Sequence, residues 1–548
     1  MPDTDPPAAA DRAPPADDLG ALAPFRHRVF SLLWSTWLIA NLCMWMNDVA
    51  AAWLMTTLTD RPNWVALVQT AATLPVFLLG LPSGALADIL NRKHFLLFTQ
   101  LWVALVGALL ALVAFAGVIT PPLLLLLLFA NGVGLALRWP VFAAIVPQVV
   151  GRDVMPQALA LNGIAMNLSR VVGPALAGAL LAAYSPAAVF VLNALLAGVA
   201  FTLILRWRSE PRTSTLPGER FWGAMRAGIN YTMQSSRLRL VLLRIGLFFL
   251  QVTGLMALLP LVARELHGGG PATFTVMLSC VGVGAIMAAM RFPHWRQRFS
   301  RDQFIRIGTL VHALMSSLII LVPEIWVAVP AMLVIGMAWI SVANSLTVAA
   351  QQAMPDWVRA RGMSIYQMAL MGGSAAGSLI WGQVASWSSV RNAVLLAAAF
   401  GLLVILATRR LNINWAAEID FTPASSGGVP QPAIEIGPDE GPVMVTLEYQ
   451  IDPARATAFA AVMDRTRRAR LRQGALSWGL FRDTAVPGRY IEYFIDENWV
   501  EHQRRLARFT AFDAELRALR LGFLVDGGAP VLRRYVADSH VERTDLPL

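Results

Sequence analysis

Charge is scarce in this chain. Asp, Glu, Lys and Arg make up 14% of its 548 residues, and 56% are hydrophobic. Soluble domains carry about a quarter charged residues, so the balance excludes an ordinary water-soluble body and points to a polytopic membrane protein. Cysteine is scarcer still. Cys43 and Cys280 both fall inside apolar runs. No disulfide framework is implied, and neither has a second Cys or a His at metal-ligand spacing. No Walker-type phosphate loop is present, which argues against ATP hydrolysis. Neither a metal nor a cofactor is expected. The N-terminal stretch "MPDTDPPAAADRAPPADDLG" lacks the basic and apolar regions of a cleaved signal. Residues 1–25 read as a disordered cytoplasmic tail.

What the chain does have is apolar runs. About twenty such residues cross a bilayer as a helix. On that ruler there are twelve spans, the first six starting near Phe30, Trp64, Phe95, Pro122, Gln157 and Ala187. The second six start near Leu238, Ala272, Phe304, Ile325, Met363 and Ala393. The expected body is all-α: a six-helix half at 26–205, a polar central loop at 206–237 and a second six-helix half at 238–410. Two sets of six suggest a parallel internal repeat. "GPALAG" (Gly173 to Gly178) and "GSLIWG" (Gly377 to Gly382) echo each other at corresponding places in the fifth and eleventh spans.

The net charge of +10 would suggest nucleic acid in a soluble chain. Here the basic residues occupy short loops, where they set orientation, and the expected partners are lipid and a small molecule. Arg26, Arg28, Arg92, Lys93, Arg152, the cluster from Arg206 to Arg239, Arg291, Arg296, Arg298, Arg301, Arg359, Arg361, Arg409 and Arg410 fall on one side; Arg61, Arg264 and Arg391 fall on the other. The positive-inside rule makes both termini cytoplasmic. After a Pro-, Gly- and Ser-bearing linker at 411–441, residues 442–548 alternate as a soluble α+β unit. A helix from Glu497 to Leu521 precedes its last strand, and the order β-α-β-β-α-β is the ferredoxin-like motif.

Asp48, in "MWMNDVAAAWLM", is the one acid deep in an expected span. A charge near the bilayer centre costs ~2.5–3.5 kcal/mol on insertion scales. The position is tolerable if Asp48 faces the bundle interior, pairs with a cation or takes up a proton. That makes it the expected proton-coupling residue, with Arg170 as partner. A structural Asp bonded to a neighbouring helix, or a contact to a cationic substrate, fits the sequence as well. Arg138 and Arg244 are expected to snorkel to the cytoplasmic surface. Asn41, Trp45, Gln69, Gln251 and Gln367 are polar or aromatic enough to line a central cavity.

Three motifs carry a family resemblance. "GALADILNRKHFL" resembles the signature loop of the major facilitator superfamily, G-x-L-A-D-R-x-G-R-K, at Gly84, Leu86, Ala87, Asp88, Arg92, Lys93 and Leu96; it departs at Ile89 and Asn91. Gly84, Asp88, Arg92 and Lys93 would then form a conformational latch. "SRVVGPALAGAL" resembles the superfamily's antiporter motif at Gly173, Pro174 and Gly178, with Ser169 and Ala177 replacing glycines; that motif marks exporters. "LFANGVG" keeps Gly132 and Gly134 of the fourth-span R-x-x-Q-G-x-G but has Leu128 and Asn131 at its Arg and Gln. The whole chain is similar to the enterobactin-exporter-like branch, also called transmembrane secretion effectors. The tail looks like the antibiotic-biosynthesis-monooxygenase type of dimeric α/β barrel, with Trp499 and His502 of its pattern.

The resemblance implies a bacterial inner-membrane, proton-coupled exporter of siderophores, drugs or other small molecules, not an enzyme. The tail shows no cofactor motif and no acid–base pair that the sequence places, and so reads as a regulatory or self-associating domain. Two other classes stay open: a membrane-tethered enzyme acting through the tail with His502, and a metabolite importer.

Overall fold

The structure, a computed structural model, describes residues 22–150, 154–207, 221–266, 269–411, 420–424, 432–525 and 530–538. The apolar runs form long helices whose backbone groups are satisfied internally, as lipid requires. Six come first: α1 (Arg28–Leu58), α2 (Pro62–Ile89), α3 (Arg92–Phe115), α4 (Pro121–Val149), α5 (Met155–Ala183) and α6 (Pro186–Arg206). Proline in the first turn of α2, α5 and α6 suits a position whose N–H has no helical acceptor. The connecting helix α7 (Phe221–Gln234) leads to α8 (Ser236–Met256), α9 (Leu259–Glu265), α10 (Pro271–Arg298), α11 (Arg301–Leu321), α12 (Ile325–Gln352), α13 (Asp356–Trp387) and α14 (Val390–Ala407). Serine side chains accept N–H bonds at the starts of α8, α11 and α14, replacing acceptors the first turn lacks.

Among the described residues, eleven helical segments are long and apolar enough to cross a membrane, with α8 and α9 forming one. α13 is not among them. It starts at Asp356, ahead of the expected Met363, and its early turns carry Arg359 and Arg361.

Apolar packing divides by end. At the end away from the arginine-rich loops, one cluster joins both halves, with Met46, Leu54, Leu127 and Leu181 from the first and Leu258, Phe274, Ile335 and Val394 from the second. At the basic end the clusters stay separate: Phe30, Leu96, Phe142 and Ile204 belong to one half, Leu238, Ile305, Leu346 and Tyr366 to the other.

The tail is a four-stranded antiparallel sheet with helices. Its elements are β1 (Val443–Gln450), α15 (Ala456–Gln473), β2 (Ser477–Arg482), β3 (Arg489–Asp496), α16 (Trp499–Ala507), α17 (Ala511–Leu521) and β4 (Val531–Val536). The strand order is β2-β3-β1-β4. Val443, Val445, Leu447 and Tyr449 alternate inward from β1 onto Phe459 and Met463 of α15. The single helix expected from Glu497 to Leu521 is two, because Thr510 and Asp513 form a capping box that restarts the chain as α17. The tail touches the body through α15 on α7, an ion pair between Arg226 and Glu497, and the Arg508 guanidinium 4.5 Å over the Trp357 ring.

Candidate functional site

Two seams of small residues join the halves, and they are built alike. On α5, a Cβ at Gly173 would lie 2.6 Å from Trp45 Cβ of α1, and one at Gly178 would lie 2.4 Å from Thr275 Oγ1 of α10. On α13, a Cβ at Gly377 would lie 2.6 Å from the Leu250 carbonyl of α8, and one at Gly382 would lie 2.5 Å from Ala66 Cβ of α2. In each helix the first glycine admits the first helix of its own half, and the second admits a helix of the opposite half. The weak sequence echo therefore has a common packing function. The second seam adds a Thr70–Ser378 hydroxyl bond of 2.6 Å and an Asn63 N–H donated to Ser386 Oγ at 3.1 Å.

Pro174 lies inside α5 and cannot donate to the carbonyl four residues back, that of Arg170. Gly282 of α10 comes against that carbonyl: a Cβ there would sit 3.1 Å from the oxygen. The Arg170 side chain lies between two indoles, 4.5 Å from the Trp339 ring centre on α12 and 5.5 Å from that of Trp45 on α1. Its Nη1 reaches Asn167 Oδ1 at 3.5 Å, and its buried Nε has no partner. Aromatic faces stabilise such a cation by ~0.5–2 kcal/mol each. Trp339 and Gly282 had no signal in the sequence, because contacts across the halves follow from the repeat's docking.

Asp48 is half-buried on α1, about 15 Å along the helix from Leu58 at 1.5 Å per residue. The ion pairs and hydrogen bonds among the described residues do not join it to Arg170, which the two indoles hold instead. Of the five cavity candidates, Trp45, Gln69 and Gln367 are half-buried. Asn41 is buried and donates to the Trp37 carbonyl of its own helix at 2.7 Å. Gln251 is buried inside the second half, donating to the Thr309 carbonyl at 3.5 Å and pressed against Gly401.

Gly84 faces Ser364 of α13, where a Cβ would lie 3.1 Å from Oγ. Asp88 belongs to α2, and its side chain lies outside the described residues. Asn91, a departure from the superfamily loop, caps α3 by accepting from the N–H groups of Lys93 and His94 at 3.1 and 3.3 Å. Arg92 and Lys93 open that helix and are half-buried.

Neither Arg138 nor Arg244 snorkels. Arg244 is buried and pairs with Asp302 Oδ1 at 2.8 Å, also donating to the Thr408 carbonyl at 3.2 Å. Asp302, read from sequence as a span-end acid, supplies the countercharge. Arg138 turns inward to Gln100 Oε1 at 3.4 Å. Gly132 and Gly134 prove to be packing positions, against Ala72 of α2 and Val103 of α3.

In the tail, both ring nitrogens of His502 are engaged. Nδ1 lies 2.7 Å from Asp496 Oδ2, and Nε2 accepts from Arg534 Nε at 3.2 Å. Arg505 donates to both Asp496 oxygens at 2.9 Å. Burial pushes the imidazole below its usual range, against the Asp496 bond that favours its proton. Burial alone would raise Asp496, but Arg505 and His502 hold it below the usual carboxylate range. Glu492 is also held low, by Arg470, Arg520 and the Tyr449 hydroxyl, despite complete burial. His502 is thus held at both ring nitrogens by groups of the tail itself, a carboxylate on one side and a guanidinium on the other.

The chain matches the transmembrane secretion effector description over residues 19–543. It is similar to the staphyloferrin A transporter of Staphylococcus aureus, 22% identical over 45% of this chain and 63% of that protein. It is also similar to macrolide efflux protein A of Streptococcus pyogenes, 22% identical over 45% and 62%. The chain thus spans less than two thirds of the length of these curated relatives. In fold it resembles the crystal structure of the nucleoside transporter NupG, with a TM-score of 0.56 at 15% identity over 70% of this chain and 98% of that one. A bacterial homologue of the human lysosomal transporter Spinster, inward-facing and unoccupied, gives 0.56 at 14% over 72% and 99%.

Proposed function

The chain belongs to the transmembrane secretion effector family of the major facilitator superfamily, and from that premise we propose that it exports small molecules by alternating access, driven by protons. The observation that carries this reading is the matched pair of glycine seams. Backbones in such close contact form two rigid halves meeting along narrow tracks, which a rocking motion can open at one end while the other stays packed. α13 completes twelve spans, since its small residues face α2 and α8. The domain limits at 25, 205, 237, 410 and 441 divide the chain accordingly. The arginine-rich end faces the cytoplasm of a bacterial inner membrane, with both termini there.

Asp48 carries the coupling proton. A carboxylate on a span, joined to no countercharge among the described residues, is stable when protonated, and it releases the proton when the halves rock and its surroundings change. Arg170 follows the same motion, because Trp45 and Trp339 grip it from opposite halves. Gly84, Asp88, Arg92 and Lys93 latch the basic end, with Gly84 supplying the close approach to α13. The tail is a ferredoxin-like, non-catalytic domain, a role the fully bonded His502 supports. Its sheet leaves Phe481, Ile491, Met444 and Tyr535 exposed, a face suited to self-association.

In an efflux-deficient host, the wild-type chain should lower cell accumulation of a member of a siderophore and macrolide panel. Asp48→Asn should abolish uphill export while preserving downhill exchange. If Asp48→Asn still concentrates substrate against a gradient with normal pH dependence, coupling lies elsewhere.

A further inference from the structure

A separate cavity with a partly polar lining lies within the first half, between α1, α3, α4 and α6. Its volume is about 30 Å³, room for roughly two water-sized particles. That excludes an exported metabolite. Its polar lining is Cys43, Asn47, Gln100, Asn131, Arg138 and Asn193, and Asp48 is not part of it. Arg138 is 3% exposed and Asn193 7%.

The hydrogen bonds show what this lining lacks. Gln100 uses its amide nitrogen on the Ala197 carbonyl at 3.2 Å, so its oxygen is what meets Arg138. Arg138 Nε has no partner, and neither does either amide atom of Asn193. Among the described residues, no acid lines the cavity. A guanidinium cannot give up its proton in a protein, and a buried charge held by one long amide contact is poorly compensated. The donors of Arg138 and Asn193 therefore surround a small space with a fixed positive charge and no anion.

We propose that this cavity binds a small inorganic anion, of which chloride is the physiological example, held by the Arg138 guanidinium and the Asn193 amide. Gln100 is the positioning residue that orients Arg138. The anion stabilises the packing of α4 against α3 and α6 within one half, so binding does not require the halves to rock. Size sets the selectivity: chloride and bromide fit, whereas gluconate and sulfate do not.

The test uses the full-length protein in lipid nanodiscs, melted at constant ionic strength while sodium gluconate is replaced by sodium chloride or bromide. The melting temperature should rise saturably with either halide and stay flat with sulfate. Asn193→Ala should weaken the response roughly tenfold, as loss of a hydrogen bond to a charged group does, and Arg138→Gln should abolish it. Should Arg138→Gln fail to fold, wild-type protein still answers through radiolabelled chloride binding, expected at one per chain. Equal melting in halide and gluconate would mean that the cavity holds water alone and would overturn the proposal. So would a saturable halide response that Asn193→Ala leaves unchanged.

Discussion

Gly178 shows how much rests on a missing side chain. A Cβ there would lie 2.4 Å from Thr275 Oγ1, 2.6 Å from its Cβ and 2.7 Å from its Cγ2. No rotation of Thr275 removes its own Cβ from the path, so α5 and α10 would have to separate. Overpacking of this kind costs ~1–3 kcal/mol, enough to shift a two-state equilibrium ~5- to 150-fold. Gly178→Ala should therefore favour a state open at the end away from the basic loops and slow transport at least several-fold. Cys280, half-buried on α10 beside the shared apolar cluster, provides the probe. Its labelling by an impermeant maleimide from that side should increase in Gly178→Ala. Unchanged labelling together with an unchanged rate would mean that the seam opens without passing this contact.

Elements were more legible than contacts. Span starts expected near Phe30, Trp64, Pro122 and Ile325 fall at or within a few residues of α1, α2, α4 and α12, because a lipid-crossing helix must be continuously apolar. α13 was hardest to bound, since its first turns mix Arg with apolar residues over the basic end. The two glycine motifs were legible as small-residue patterns, yet their partners Thr275 and Ala66 were not, because nothing local encodes which helix of the other half arrives there. Arg244 was misread for the same reason: its countercharge lies on α11, at Asp302. In the tail, the buried ionic groups lead to a pH prediction. Folded His502 holds its proton less readily than an unfolded histidine, of ordinary value 6.5, so protonation favours the unfolded tail. The stability that His502 contributes is complete above about pH 6.5 and declines below it, by no more than about 1.4 kcal/mol per pH unit. Asp496 and Glu492 are also depressed, so their share persists above about pH 4.5 and is lost on further acidification. Hydrogen-exchange protection factors of tail peptides in the intact protein, with the intrinsic pH dependence of exchange divided out, should fall in those two stages, and His502→Asn should remove the first. Protection factors that are flat from pH 7 to pH 5.5 would contradict the assignment.

At the scale of the molecule, the two ends differ in how the halves are held. The end away from the basic loops has one apolar cluster shared by both halves, and the basic end has one cluster per half. Arg264 of α9 adds a bond to the Thr56 carbonyl of α1 at 2.8 Å at the shared end. The tail rests on α7 and on Trp357 at the start of α13, so it should move with the second half. If transport requires the shared cluster to part, holding it closed must stop the cycle without disturbing either half. Asn63 and Ser386 allow this, since the Asn63 N–H donates to Ser386 Oγ at 3.1 Å where α2 meets α13 at that end. A chain carrying Asn63→Cys and Ser386→Cys should transport normally when reduced and lose transport when oxidised, with recovery on addition of reductant. Each single variant should remain active under oxidation, which separates the cross-link from damage to Cys43 or Cys280. Undiminished transport by the quantitatively cross-linked protein would mean that this end stays shut throughout the cycle. Rocking about the glycine seams would then not be the mechanism.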